Sequence, residues 1–100
     1  MLNIQKTIEN DKAVLTLNGR LDTNTAPELE KELRAAFPGL TELTLDFAGL
    51  EYISSAGLRV LLEAHMNMTL NGGQMRVIHV DQAIMDVFDI TGFSGVLTIE

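Results

Sequence analysis

The sequence predicts an α/β domain of order ββαβαβαβ: a mostly parallel sheet with an antiparallel N-terminal edge strand and helices mainly on one face. Apolar side chains alternate at the start of the chain, at Leu2, Ile4 and Ile8 and again at Ala13, Leu15 and Leu17. From Leu29 onward, stretches of helical spacing take turns with further short alternating runs. Glycine, proline, asparagine or aspartate stands at most changeovers. The chain has 100 residues, 46% of them hydrophobic, which suits one compact domain spanning residues 1–100.

The first two runs form a β-hairpin around Asn10-Asp11, since both residues tolerate the left-handed conformations of a tight turn. Gly19 ends the second strand, and Arg20 to Asn24 form a polar connection. Thr25 opens a helix, with Glu28 at capping-box spacing and Pro27 in the first turn, where its missing N–H does no harm. Leu29, Leu33, Ala36 and Phe37 give that helix its apolar face, and Pro38-Gly39 stops it. Leu43, Leu45 and Phe47 make the third strand, and a helix follows from about Ala56 to Leu70, closed by Asn71-Gly72-Gly73. Met75 to Val80 is the fourth strand. Asp81 caps a short helix carrying Ile84, Val87 and Phe88, which Gly92 ends, and Val96, Leu97 and Ile99 form the last strand. Three right-handed crossovers, each to the neighbouring strand, would put all three helices on one sheet face.

Fourteen acidic against seven basic side chains leave a net charge of −7. Phosphate backbones and anionic lipid repel such a surface, which speaks against nucleic-acid or membrane-surface binding and favours a basic protein patch as partner. There is no cysteine, so disulfides, thiol chemistry and cysteine metal sites are excluded. No apolar run approaches the roughly 20 residues of a bilayer span, and MLNIQKTIEN lacks the regions of a signal peptide. The expectation is a soluble cytoplasmic protein.

The stretch YISSAGLRVL, Tyr52 to Leu61, places two serines and a glycine in a loop between strand and helix. The plain reading is that one serine caps the helix. The functional reading uses the same feature: a helix start offers unpaired N–H groups and about half a positive charge, which suit a phosphate. Gly57 costs about 1 kcal/mol of helix propensity there, and a close approach of other backbone would justify it.

The segments LDFAGLEYISSAGLRVLLEAH (Leu45–His65) and LNGRLDTNTAPELEKEL (Leu17–Leu33) resemble the two signature segments of the STAS domain family, the bacterial anti-sigma factor antagonists. MRVIHV and MDVFDITGF fit the family's later part, so the resemblance spans nearly the whole chain. Aligning Gly57-Leu58 with the family's Asp-Ser-Ser/Thr-Gly-Leu pattern places the phosphorylated serine on Ser55. Ser54 stands where the family usually has aspartate and is a rival acceptor, while Ala56 replaces a hydroxyl residue and cannot be modified.

The resemblance implies a partner switch and not an enzyme. Unmodified, such a protein binds an anti-sigma factor that is also a serine kinase, and so frees the sigma factor. The kinase's ATP phosphorylates the serine and the complex parts; a metal-dependent serine phosphatase resets it. The protein itself needs no cofactor. Asp22, Thr23, Ser54, Ser55, Ala56 and Gly57 are the implied partner surface. Family members usually carry a further helix after the last strand, and with none before Glu100 a less covered sheet end is expected, in a monomer or weak dimer.

Two other readings share these residues. A STAS scaffold subunit would dock on another protein, such as a transporter ATPase, without being phosphorylated. A serine hydrolase would need a histidine and an acid beside the serine, and neither His65 nor His79 is spaced for that or for a metal site. Asp46 reads as a carboxylate that supports the loop after its strand.

Overall fold

The structure, a computed structural model, describes residues 1–100. Five strands lie in the order β1-β2-β3-β4-β5: β1 (Leu2–Glu9), β2 (Lys12–Leu21), β3 (Glu42–Ile53), β4 (Gln74–Ile78) and β5 (Thr98–Ile99). β1 pairs antiparallel with β2, and every other pairing is parallel. The crossovers carry α1 (Ala26–Ala36), α2 (Ser55–Leu70) and α3 (Gln82–Thr91), followed by a single 3₁₀ turn (Phe93–Gly95). The α/β architecture is as the sequence pattern predicts.

The hairpin closes on Asn10-Asp11, with Asn10 in the left-handed region at φ 57° and Glu9 opposite Lys12. Leu15 and Leu17 of β2, Leu43, Leu45 and Phe47 of β3, and Met75 and Val77 of β4 are buried beneath the helices. From the helices come Leu29 and Leu33, Leu61 and Met68, and Ile84 and Phe88. Phe88 lies between the rings of Phe47 and Phe93, at centroid distances of 6.3 and 6.4 Å, within the range of favourable aromatic pairs. Leu70 and Ile90 remain exposed on the outer helix surfaces.

Several boundaries differ from the sequence reading. β4 ends at Ile78 and not at Val80, because His79 turns into the left-handed region. β2 runs on through Gly19, which takes φ 110° and, lacking a Cβ, leaves room for the Met1 carbonyl. β3 runs on to Ile53, because two register shifts against β2 each add one residue to it, between Asp46 and Gly49 and between Leu50 and Tyr52. Each extra residue reverses the strand's alternation. Phe47, Leu50 and Ile53 therefore all point into the core, a spacing of three that no longer reads as a strand. At the far end only Thr98–Ile99 pair as β5, and Val96 leaves the 3₁₀ turn half exposed.

Phe88→Ala should lower stability by about 3–5 kcal/mol, because the cavity opens between two other rings. Urea denaturation followed by circular dichroism measures it.

Candidate functional site

The last rung of the β2–β3 ladder, Leu21 opposite Ile53, brings the two signature segments together. Immediately beyond it the Ser54 N–H donates to the Leu21 carbonyl at 2.9 Å, and the chain turns into α2. Sequence spacing puts Tyr52 to Gly57 in a loop. Instead, Tyr52 and Ile53 end β3, Ser54 is the helix N-cap, and Ser55, Ala56 and Gly57 form the first turn of α2.

The two serines therefore do different things. Ser54 is half-buried in extended geometry (φ −99°, ψ 175°), and its Oγ accepts the Gly57 N–H at 3.3 Å while its carbonyl accepts from the Leu58 N–H at 2.9 Å. It satisfies donors that the helix start would leave free. Ser55 is exposed, and its hydroxyl makes no hydrogen bond. The first turn of α2 holds no acidic side chain, so nothing offsets the positive end of the helix dipole there. Ala56 is half-buried beside it.

Gly57 is buried against side chains rather than against backbone, which corrects the close-backbone expectation. A Cβ at this position would lie 2.7 Å from Leu21 Cγ and 3.0 Å from Ile53 Cγ1. Its bare Cα lets the first turn of α2 sit directly on the ends of β2 and β3.

Asp22 folds its own loop. Its Oδ1 accepts from the N–H groups of Asn24 (3.0 Å) and Thr25 (3.1 Å) and lies 3.1 Å from Thr25 Oγ1. The Thr25 N–H, above all, holds the Asp22 carboxyl below the ordinary aspartate range. Thr25 itself is buried and does not cap α1 through its side chain. Its hydroxyl accepts from the Asp22 N–H at 2.9 Å and donates to the Arg20 carbonyl at 2.8 Å, so the predicted capping box is absent. Thr23 is exposed at the tip of the loop.

Two arrangements escape the sequence. Arg20 and Tyr52, paired across β2 and β3, stack with the guanidinium 4.2 Å from the ring centroid. Asp46 lies inside β3, and its Oδ1 accepts the Ala48 N–H (3.0 Å) within the first register shift and meets His79 Nδ1 at 2.9 Å. The Ala48 N–H is the main cause that holds the Asp46 carboxyl low, with His79 adding to it against desolvation. His79 follows the end of β4 in the left-handed region, φ 57°. Both pairs depend on strand register, which local sequence does not reveal.

Neither histidine hydrogen-bonds to a serine, and no group of three histidine, aspartate or glutamate side chains could hold a metal ion. A groove of about 380 Å³ opens at the amino ends of β3 and β4, between Glu42, His65, Gln74 and Arg76, away from the serines. No helix is long and apolar enough to cross a membrane.

The family model described as "Mlab, STAS domain" matches residues 4–98. The chain belongs to the STAS domain family. This STAS domain is 32% identical over 87 residues to BtrV of Bordetella bronchiseptica, named as an anti-sigma factor antagonist, covering 86% of this chain and 75% of that one. It is 27% identical over 99 residues to an anti-sigma-B factor antagonist of Staphylococcus epidermidis, covering 98% and 92%. Its fold matches that of the anti-sigma factor antagonist SpoIIAA solved unphosphorylated, with TM-score 0.79 and 16% identity over 98% of this chain and 87% of that one. For the phosphorylated form, the Bacillus cell fate determinant, the values are 0.78, 17%, 98% and 91%.

Ser54→Ala is expected to cost about 1 kcal/mol through the lost cap, and Ser55→Ala under 0.5 kcal/mol, in parallel urea titrations. Asp22 and Asp46 have folded pKa values below 3.8, so their contributions are complete above that pH and disappear as pH falls through the lower folded values. Asp22→Asn and Asp46→Asn should therefore lower the Tm at pH 7, and the gap to wild type should narrow steadily as melts are repeated below pH 3.8.

Proposed function

We propose that this STAS domain is an anti-sigma factor antagonist that works as a phosphorylation-controlled partner switch. In its unmodified form, a cytoplasmic monomer or weak dimer, it binds an anti-sigma factor that is also a serine kinase. The contact surface is Asp22, Thr23, Ser54, Ser55, Ala56 and Gly57, and binding frees the sigma factor. The kinase then transfers the γ-phosphoryl group of ATP to Ser55 Oγ; the hydroxyl proton leaves, ADP is released, and the complex separates. A serine phosphatase returns the hydroxyl.

The supporting observation is the contrast between the two serines. Ser54 Oγ is committed to the Gly57 N–H, whereas Ser55 Oγ is exposed and unengaged at the first residue of α2. A kinase can reach Ser55 without dismantling a cap. The names of the relatives point the same way. Release has a direct electrostatic cause: a phosphoserine adds about −1.5 to −2 charges to a protein that already carries −7. At a docked and desolvated surface, that charge meets acceptors with no donors and a partner selected to fit a neutral hydroxyl.

Incubation with the cognate kinase and ATP, followed by phosphosite mapping, should find phosphate on Ser55 in wild type and in Ser54→Ala, and none in Ser55→Ala. Ser55→Asp should weaken kinase binding about tenfold or more by calorimetry, equivalent to ~1.4 kcal/mol, with the fold intact. Phosphate on Ser54 alone, or unaltered affinity of Ser55→Asp, would overturn the assignment. Absence of phosphate together with stable docking on a transporter ATPase would replace it with the scaffold reading.

A further inference from the structure

We infer that Arg59 is the internal counter-ion of a phosphate on Ser55; this rests on the proposed modification of that serine. Ser55 begins α2 and Arg59 follows one turn later, both on its exposed outer face, while Gly57, Leu58, Val60 and Leu61 face inward. Side chains four apart on a helix have Cβ atoms about 5–6 Å apart, and long ones lean toward the N-terminus. The guanidinium of Arg59 is therefore within reach of the turn that carries Ser55.

Arg59 is also free to take this role. The ion pairs of the structure occupy Lys6, Lys12, Arg34 and Arg76, and Arg20 is stacked on Tyr52. Only Arg59 and Lys31 have neither a carboxylate nor an aromatic ring as partner. The polarity of helical pairs explains why Glu63, one turn beyond Arg59, does not engage it. An acid four residues before a base is the favoured order, and Glu30–Arg34 in α1 adopts it at 3.5 Å. Arg59–Glu63 has the reverse order and forms no ion pair. Phosphoserine 55 followed by Arg59 restores the favoured order, and now with a dianion.

The other charged groups near this end of α2 are already engaged or on other elements. Asp22 spends its carboxylate on the N–H groups of its loop, and Arg20 lies on the tyrosine ring at the strand ends. A planar guanidinium holds two phosphate oxygens in one rigid fork, whereas an ammonium acts as a point charge. Phosphorylation thus removes two things from the partner's reach: the free hydroxyl, and the one unpaired cation beside it.

The test installs phosphoserine at position 55 during translation, so that no cognate kinase is needed, and follows the phosphate by ³¹P NMR as a function of pH. Arg59→Gln should raise the second phosphate pKa by about half a unit, a threefold change in proton affinity, at low salt. Arg59→Lys should restore part of the difference, and Arg20→Gln should leave the wild-type value. An Arg59→Gln titration that overlays wild type, or a shift in Arg20→Gln instead, overturns the inference. Because the phosphate is built in, a kinase that ignores Ser55 would defeat the proposed switch while leaving this result standing. Normal kinase modification with an unshifted pKa would defeat only the role of Arg59.

Discussion

The junction where α2 starts depends on a single backbone hydrogen bond and the strand pair beneath it. The Ser54 N–H reaches the Leu21 carbonyl at 2.9 Å directly after Leu21 and Ile53 pair. That contact fixes the end of β3 against the end of β2, and with it the loop of Asp22 against the first turn of α2. Gly57 then lets the helix descend onto the same two side chains, Leu21 and Ile53, where any Cβ would press into them. The exposure of Ser55 follows from this seating: the turn is held from below, so its outer residue faces solvent.

Division of labour between adjacent serines resolves a competition that a single hydroxyl would face. A serine that both caps the helix and accepts phosphate must surrender the cap when modified, at a cost of about 1 kcal/mol to the helix it starts. Here the cap belongs to Ser54, and Ser55 carries no structural duty. A neutral cap has a second effect. It leaves the positive end of the α2 dipole without a carboxylate in the first turn, in a protein with twice as many acidic as basic side chains.

Neither serine lines any of the five main grooves of the structure. A groove of about 380 Å³ lies at the other end of the strands, lined mainly by polar side chains. In the proposed switch, a protein partner would read shape and charge over the turn and the Asp22 loop together. Arg20 on Tyr52 and His79 on Asp46 extend the polar character of the strand ends without joining the serines.

Element types and their order were legible because they rest on local periodicity and punctuation. The alternation of β1 and β2, the apolar stripes of the helices and the Asn-Gly-Gly stop are properties of neighbouring residues. The extension of β3 was not, since its two extra residues make sense only against the register of β2, and they replace alternation with the spacing Phe47, Leu50, Ile53. The hydroxyls of Thr25, Ser54 and Ser55 are alike in sequence, and local spacing offered each of them as a cap. Which one is buried, which one caps and which one stays free was decided by tertiary contacts, because a hydroxyl takes whichever partner the packed backbone brings within reach.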